Sequence, residues 1–591
     1  MLNIIKKLNF FLTGKQKPAF FSLILLMAIS AFLEIIGIGM IPIFVAVVLD
    51  FDLLNNYLTE LNISSLNFII KINQEDLLIY MSIFVLLLFL FKNLFLMFVH
   101  YFQNYFSYKL VTENSSKIYR RYLFSDFSFH ASRNSAALIK NITTEVNLSV
   151  TFLSSILYLL RELIIFILIC YLLLINSPLS FSFISVFFLF VLILFYQLLK
   201  KKVSKSGKKY YEARDKLIFT IQQSLGFIKE ITLLNKRDMF KDYFKKNLYI
   251  TEYQNVFLSI INKVPRLTFE FLAVLICLLI VNFFFKNSRN ELLPILTLYG
   301  ISLIRLIPSY AQISSSIMSI RFYKSSFDLI CDELRLNESK QINEGNKINK
   351  SSLIYELDKK INISNLSFSY DEKKKVLKNV NFSFNTGQAI GIVGSSGSGK
   401  TTLGDLIMGL YTPEKGSITL DGLDIKEYPS QWREMLGYVP QEVFILDGSI
   451  KTNIAVEYDE KKIDMDRLNK AVKFSNCEEY INELPNKIDT EVGERGIRLS
   501  GGQRQRIGIA RALYKDPQII LFDEATSSLD TKNEEEIIKS IIGLKKDKTL
   551  ICISHKLSNL KNMDKIISLK NGSIDKVGNA EEMLLYLKKI Q

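Results

Sequence analysis

The sequence predicts two folds in one chain: an all-α membrane domain of six transmembrane helices, followed by a soluble α/β domain built around a P-loop. Long apolar stretches are confined to residues 19–320, whereas short β-branched runs and a glycine-rich loop begin near residue 362. The 591 residues are 49% hydrophobic, which excludes a disordered chain. The formal net charge of +15 is explained by the basic loops that flank membrane spans.

Six stretches approach the roughly 20 apolar residues that a helix needs to cross a bilayer. They lie at residues 19–49, 77–99, 154–175, 179–199, 267–285 and 292–320. The first follows several lysines, as a signal peptide does, but its apolar run is far longer than a signal peptide's core. We therefore predict that it is a retained span. The five cysteines are far apart and lack the spacing of a disulfide framework or a metal site.

Loop charges predict the orientation of these spans. The loop at residues 200–263 begins with a run of lysines, whereas the segment after the first span carries mainly acids. Since cytoplasmic loops carry the Lys/Arg excess, both termini and the loops at 101–150 and 200–263 are predicted to be cytoplasmic. The lysine runs lack the interleaved aromatic residues of a nucleic-acid surface, so we predict no nucleic-acid partner.

Both cytoplasmic loops are long and poor in Gly and Pro, which predicts helices that continue out of the membrane. The helical hairpins are expected to reverse at residues 127–133 and 224–230, where their tips can touch a soluble domain. The external segment at 51–75 has leucines at helical spacing and is predicted to form an amphipathic helix on the outer membrane surface. A loose continuation of the spans is the alternative.

In the soluble part, an apolar strand at residues 389–393 feeds the loop GSSGSGKTT and then a helix, the context that a P-loop requires. The glycines let backbone N–H groups approach phosphate oxygens, and the helix N-terminus adds positive charge. Lys400 is predicted to reach the β- and γ-phosphates, and Thr401 to ligate Mg²⁺. The predicted phosphate-binding residues are Gly394, Ser395, Gly397, Ser398, Gly399, Lys400, Thr401 and Thr402.

A second buried strand, at residues 519–522, ends in two carboxylates. Asp523 suits the Mg²⁺ shell, and Glu524 is a candidate general base that polarises the attacking water. Such acidic pairs are commonly structural, but the upstream P-loop favours the catalytic interpretation. The sequence therefore predicts an NTPase that uses Mg²⁺.

Between these motifs lies LSGGQ at residues 499–503, and here the chain resembles the ATP-binding cassette (ABC) transporter family over nearly its whole length. The resemblance implies that Tyr370 stacks on adenine, that the Q-loop Gln441 joins Thr401 and Asp523 around Mg²⁺, and that His555 is the switch histidine. TEVGERG at 490–496 looks like the X-loop of exporters. The signature and D-loop residues with implied ATP contacts are Ser500, Gly501, Gly502, Gln503 and Asp530. Ser528 replaces the usual Ala of the D-loop.

The resemblance also implies an exporter-type half-transporter. An all-α exporter domain at residues 1–330, a linker at 331–360 and an ATP-binding cassette at 361–591 are expected. One cassette per chain implies a homodimer in which ATP lies between one P-loop and the partner's signature, and pairing with a second half-transporter stays open. The two loop tips are then coupling helices, and ATP binding and hydrolysis switch the membrane halves between inward- and outward-facing states.

Ionisable residues inside spans point to the substrate, because membrane insertion disfavours them. Lys92, Arg266 and Arg305 share their sign and, in the predicted topology, the central or cytoplasmic half of the membrane, which favours a site for phosphate or pyrophosphate. Snorkelling, interfacial anchoring, or pairing of Arg305 with Glu270 or Glu34 are the structural alternatives.

With the strings KVPRLTFEF and LIRLIPS, the chain looks most like the flippases of polyprenyl-pyrophosphate-linked oligosaccharides in the bacterial inner membrane. The resemblance implies that the three basic residues engage pyrophosphate. A peptide, toxin or multidrug exporter on the same scaffold is the alternative, and it predicts a cavity with neutral or acidic side chains. A non-transporting NTPase or nucleic-acid-associated regulator conflicts with the six spans.

Overall fold

The computed structural model describes residues 2–49, 74–176, 178–287, 292–335, 360–370, 375–525, 531–545 and 547–590. The chain divides into two compact units. The first comprises Met1–Ser125 and Ser132–Gln341, and the second comprises Asp126–Ala131 and Ile342–Gln591. The short segment around residue 127, predicted as a loop tip, thus groups with the C-terminal unit.

The described residues up to Arg335 form helices joined by short connections. These helices are α1 (Leu2–Phe11), α2 (Gln16–Leu49), α3 (Gln74–Leu123), α4 (Phe127–Ser132), α5 (Ser135–Lys140), α6 (Val146–Asn176), α7 (Pro178–Gly226), α8 (Ile228–Leu233), α9 (Arg237–Asn287) and α10 (Leu292–Arg335). A single π-helical turn, Asn141–Glu145, joins α5 to α6. The helix α10 continues beyond residue 330, where the sequence places the end of the membrane domain.

Six long helices of the described chain, α2, α3, α6, α7, α9 and α10, contain the six predicted spans. Among the described residues, three segments are long and apolar enough to cross a membrane: Gln16–Ile41, Asp76–Leu123 and Ser135–Tyr171. The 50 residues of α3 extend over about 75 Å, more than twice the roughly 30 Å of a hydrocarbon core. This length agrees with helices that leave the membrane. The predicted external helix at 51–75 lies outside the described residues except where α3 begins.

Exposed apolar side chains cover α3. Leu86, Phe91 and Met97 are each more than half exposed, as side chains that face lipid are. A buried cluster holds the membrane helices together on the other side, where Ala31 of α2, Ile165 of α6, Phe269 of α9 and Tyr310 of α10 pack against one another. The membrane helices of the first unit therefore have apolar side chains both on their surface and in their core.

The second unit alternates strands and helices. Its strands are β1 (Lys360–Ser369), β2 (Lys375–Asn385), β3 (Ala389–Gly394), β4 (Lys415–Leu420), β5 (Leu423–Asp424), β6 (Leu436–Val439), β7 (Ile519–Asp523), β8 (Thr549–Ile553), β9 (Lys565–Lys570) and β10 (Ser573–Gly578). Its helices are α11 (Lys400–Ile407), α12 (Pro429–Glu434), α13 (Ile450–Ala455), α14 (Met465–Phe474), α15 (Glu478–Glu483), α16 (Gly501–Tyr514), α17 (Thr531–Gly543) and α18 (Ala580–Ile590).

These strands form two sheets. An antiparallel sheet has the order β2-β1-β4-β5, and a six-stranded sheet has the order β10-β9-β3-β8-β7-β6. In the larger sheet β9, β3, β8, β7 and β6 run parallel, and β10 pairs antiparallel with β9. Nearly all residues of the central strands are buried, and β3 and β7 are mostly apolar, as strands covered on both faces are.

Candidate functional site

The carboxyl ends of three neighbouring parallel strands bring the predicted catalytic motifs together. The strands β3, β8 and β7 lie side by side. The P-loop follows β3, His555 follows β8, and Asp523 and Glu524 end β7. Ligands of open α/β sheets bind at this edge, so the topology explains why motifs more than 100 residues apart form one site.

The P-loop is held in shape by its glycines and by Lys400. Any Cβ on Gly394 would lie 2.4 Å from the carbonyl oxygen of Leu569, and Gly399 has φ +99° at the N-cap of α11. Lys400 is buried, and its Nζ donates to the carbonyl oxygens of Gly394 and Ser395 at 3.0 Å each. Burial lowers the pKa of its ammonium group. A phosphate that approached this group would relieve the cost of desolvation.

Two hydroxyl groups near the start of α11 fit a bound phosphate. The Ser398 hydroxyl is buried and has no hydrogen-bond partner among the described residues. Such an orphaned group costs free energy unless a ligand satisfies it. Thr401, in the first turn of α11, is exposed. The other predicted loop residues, Ser395 and Gly397, lie between β3 and α11, so all predicted phosphate contacts fall on one loop and helix N-terminus.

Glu524 lies between the Q-loop and the switch histidine. Its Oε1 is 2.7 Å from His555 Nε2, and its Oε2 accepts a hydrogen bond from Gln441 Nε2 at 3.0 Å. The side chain keeps 20% of its surface exposed, so water can reach the carboxylate. The structure thus joins three residues that the sequence selected separately.

Asp523 is the more buried of the two carboxylates. Burial raises its pKa, the neighbouring Glu524 raises it further, and Lys400 opposes both effects. A divalent cation at this position would stabilise the ionised form. Thr401, Gln441 and Asp523 offer hydroxyl, amide and carboxylate oxygens, which are the ligand types that Mg²⁺ prefers. Among the described residues, no group of three or more His, Cys, Asp or Glu side chains could hold a metal ion.

An aromatic cluster flanks the predicted adenine site. Tyr370 is 53% exposed, and its hydroxyl is 2.9 Å from the hydroxyl of Thr402 on α11. The Tyr411 ring lies 5.4 Å from Tyr370, 5.3 Å from Phe368 and 5.5 Å from Phe127. All five residues belong to the second unit. Tyr411 therefore connects the predicted adenine platform to α4.

The signature motif forms the N-terminus of α16. Ser500 accepts a hydrogen bond from the backbone of Gln503, and the Gln503 side chain accepts one from the backbone of Ser500. This capping box satisfies the N–H groups of Ser500 and Gln503, and the half-buried Gly501 and Gly502 form the first turn at the positive end of the helix dipole. The arrangement suits an anion brought by a partner. The predicted D-loop Asp530 lies outside the described residues.

Residues that sequence reasoning missed hold these loops in place. Gln505 of α16 donates to the carbonyl of Pro440, the residue before Gln441. Arg511 donates to the carbonyl oxygens of Phe444 and Asn453. Neither residue lies in a recognisable motif, because both act through tertiary contacts with the Q-loop segment.

Of the three predicted substrate residues, the structure describes the side chains of Lys92 and Arg266, and it gives them different surroundings. Lys92 is half-buried, 4.3 Å from the centre of the Phe89 ring and close to Gly37 on α2. Arg266 is 68% exposed and donates to Glu270 at 2.8 Å. The side chain of Arg305 lies outside the described residues. Pairing with Glu270 thus occurs for Arg266, whereas the sequence suggested this acid as a partner of Arg305.

A buried ionic cluster lies among α2, α6 and α10. Arg161 is 3.7 Å from Glu34 and 3.9 Å from Glu162, and Ser309 donates to Glu162 at 2.8 Å. All four side chains are buried. Sequence reasoning selected Glu34 but passed over Arg161 and Glu162, although two charges inside the apolar stretch LLRELIIF were the available signal.

Comparisons with known families match both halves of the chain. Residues 24–302 match the model described as ABC transporter transmembrane region, and residues 377–527 match the model described as ABC transporter. A solved structure described as a bacterial Atm1-family ABC exporter with ATP bound aligns with a TM-score of 0.73 at 22% identity, covering 94% of this chain and 96% of that chain. This likeness confirms the predicted fold.

Curated relatives match over shorter stretches. The heterocyst differentiation ATP-binding protein HepA of Nostoc is 35% identical over 53% of this chain and 50% of its own length. The ABC transporter B family member 1 of Dictyostelium discoideum is 33% identical over 65% and 42%. The ATP-dependent lipid A-core flippase of Saccharophagus degradans is 40% identical over 38% of each. The chain spans about half or less of the length of these relatives.

Proposed function

The chain has the two domains of an ABC transporter in the exporter fold, and we propose that it uses ATP hydrolysis to move an amphipathic substrate across a membrane. The observation that carries this proposal is the position of Glu524. Its carboxylate contacts both Gln441 and His555 at the strand edge where Lys400 lies. A P-loop beside a partly hydrated carboxylate is the arrangement that hydrolysis of a nucleoside triphosphate needs.

Each residue has a role in this mechanism. Lys400 and the loop N–H groups bind and neutralise the β- and γ-phosphates. Thr401, Gln441 and Asp523 would hold Mg²⁺, which offsets the charge that develops on the transferred phosphoryl group. Glu524 accepts a proton from the attacking water. His555 keeps the carboxylate oriented through the 2.7 Å contact.

We propose that the working form is a homodimer. In the family that the motifs resemble, the P-loop of one subunit faces the partner's signature motif. The N-terminus of α16 at Ser500 suits contact with a phosphate bound to the partner. Exposed apolar residues on α8, including Ile228 and Leu233, support contact with a second subunit. Copurification of two differently tagged copies tests homodimerisation against pairing with a second half-transporter.

For the cargo, we propose a polyprenyl-pyrophosphate-linked oligosaccharide or a related anionic glycolipid. Proteins named lipid A-core flippases are among the relatives, with similarity over the ATP-binding part, and their name points to a glycolipid. Lys92 lies half-buried in α3, and a basic side chain inside a predicted span is suited to a phosphate group. We assign the same role to Arg266 and Arg305.

A peptide, toxin or multidrug exporter is the second candidate. The cluster of Glu34 and Glu162 around Arg161 favours it, because this cluster adds buried acids to the membrane helices. Two carboxylates meet one guanidinium in this cluster, a balance that suits a basic or amphipathic compound better than pyrophosphate.

Helices that are long and apolar enough to span a membrane make the chain a multi-pass membrane protein. We propose the bacterial inner membrane as its location, with both termini in the cytoplasm. The support is the excess of Lys and Arg over Asp and Glu in the loops at 101–150 and 200–263. We retain residues 1–330 and 361–591 as the proposed limits of the membrane and ATP-binding domains.

Reconstitution separates the two cargo hypotheses. Proteoliposomes are assayed for ATP-dependent translocation of a fluorescent polyprenyl-pyrophosphate oligosaccharide, and in parallel for export of an amphipathic dye and a peptide. The flippase proposal expects lipid transport that Lys92→Ala and Arg305→Ala reduce at least tenfold. Lys208→Ala, an exposed lysine paired with Glu212, is the matched control and should be silent. Export of dye or peptide without lipid transport would reject the proposed cargo.

A further inference from the structure

A polar cavity opens between α3 and α6. Its volume is about 310 Å³, near the lower end of the range for ligand sites, roughly 300–1,000 Å³. The lining comes from two helical segments, residues 103–111 of α3 and 147–158 of α6. By the predicted span limits of 77–99 and 154–175, the cavity lies at the cytoplasmic boundary of the membrane.

The lining is polar but uncharged. Ten residues line the cavity, and eight of them carry amide or hydroxyl groups while two are valines. Ser107 of α3 and Ser154 of α6 join the walls by a hydrogen bond of 3.2 Å. No lining side chain is basic or acidic, so the cavity is unsuited to phosphate. A purely apolar ligand would desolvate the amides and hydroxyls without replacing their hydrogen bonds.

Gln103 supplies an unsatisfied polar group beside the cavity. The side chain is 2% exposed, and its Oε1 is buried without a hydrogen-bond partner among the described residues. A buried amide oxygen in this state destabilises the fold, because it has lost its water and gained no donor. A rotation of the side chain that turns this oxygen toward the cavity would let a bound hydroxyl group supply that donor.

Two tyrosines add a second feature of the ligand. Tyr108 and Tyr158 line the same cavity, and Tyr108 is 68% exposed. The amides of Gln103, Asn104 and Asn147 line the cavity together with these two aromatic rings. A sugar ring presents hydroxyl groups at its edge and C–H groups on its face, so it matches both kinds of surface.

We infer that this cavity binds an uncharged sugar of the substrate's head group. The inference rests on the proposed glycolipid transport and deepens it, because it separates recognition of the glycan from recognition of the phosphate. The basic residues then bind the pyrophosphate of the substrate, and the amides of this cavity bind its sugar.

The first experiment compares two lipids on the full-length protein in proteoliposomes. ATPase stimulation is titrated with a polyprenyl-pyrophosphate disaccharide and with the same lipid without sugar. Gln103→Leu and Tyr158→Phe should raise the half-saturating concentration of the glycosylated lipid tenfold or more and leave that of the sugar-free lipid within twofold. Ser82→Ala, a hydroxyl elsewhere on α3 that donates to the backbone of Leu78, is the control. Equal shifts for both lipids, or none, would overturn the inference.

The second experiment tests the cavity without the lipid. Asn104→Cys is introduced after the five native cysteines are replaced by alanine, and its reaction with a maleimide is timed. Soluble disaccharides containing glucose, galactose or N-acetylglucosamine should slow labelling at least threefold, and Gln103→Leu should remove this protection. If neither lipid stimulates the wild type but the sugars protect Asn104→Cys, glycolipid transport fails and the sugar site stands. Unchanged labelling with every sugar, or labelling blocked in the dimer without sugar, rejects the site.

Discussion

Replacing Glu524 by glutamine tests the proposed chemistry most directly. The substitution keeps size and shape but removes the basic carboxylate, and a general base contributes typically 10²- to 10⁴-fold to a rate. That loss corresponds to about 3–5 kcal/mol in the activation free energy. We therefore expect phosphate release to fall at least 100-fold.

The structure also predicts what this variant retains. In the variant, the amide oxygen of the new glutamine can still accept the hydrogen bond from Gln441. Its amide N–H can donate to Nε2 of the half-exposed His555 when that nitrogen is unprotonated. The negative charge that raises the pKa of Asp523 is removed, so that carboxylate ionises more easily. ATP affinity should be unchanged or higher, and the ATP-bound dimer should persist.

Steady-state phosphate release, binding of a fluorescent ATP analogue and native mass spectrometry measure these three properties. Glu427→Gln, which alters an exposed acid of the same unit, should behave as wild type. Turnover above about a tenth of the wild-type rate in Glu524→Gln would refute the assignment of the base. A loss of ATP binding would instead show that Glu524 shapes the nucleotide site.

Three further predictions concern stability. Ser500→Ala removes the cap of α16 and should cost about 1 kcal/mol, lowering the Tm of the cassette by roughly 2–4 °C; Ser500→Thr should retain most of it, and equal losses would contradict a capping role. Burial and Asp523 raise the pKa of Asp405 to about 6, so its ionisation opposes folding from about pH 4 upward and fully above about pH 6. Asp405→Asn should therefore stabilise the nucleotide-free protein by about 1–2 kcal/mol at pH 7.5 after allowance for its partial solvation, and less at pH 5; an equal gain in Tm at both values would exclude this cause. Arg161→Met leaves buried acids without their guanidinium and should cost about 3–5 kcal/mol in detergent unfolding, whereas a triple variant that also has Glu34→Gln and Glu162→Gln should recover most of it.

The aromatic contacts of Tyr411 have a functional implication. The ring touches both Tyr370, the predicted adenine platform, and Phe127 of α4. These contacts predict that occupancy of the adenine site and the position of α4 are linked through one side chain. Because linkage is reciprocal, a change at Phe127 should alter ATP affinity as well as the response to substrate.

Local sequence determined the parts of this protein that depend on neighbouring residues. The spans are readable because a helix must carry about 20 apolar residues to cross a bilayer. The P-loop is readable because glycine conformation, the Lys400 position and the following helix occupy one short segment. The predicted role of Glu524 depended on the upstream P-loop and that of His555 on the family resemblance, since an acid or a histidine after a strand is by itself ambiguous.

Only the tertiary structure decided which distant residues meet. The joining of Glu524 to Gln441 follows from strand order in the sheet, and that of Arg161 to Glu34 from helix packing. The unpartnered amide oxygen of Gln103 likewise exists only because α3 and α6 pack side by side. Periodicity and motifs describe one segment at a time, whereas burial and pairing depend on how separate segments pack. The ATP-binding motifs could therefore be predicted from the sequence, and the cavity between α3 and α6 could not.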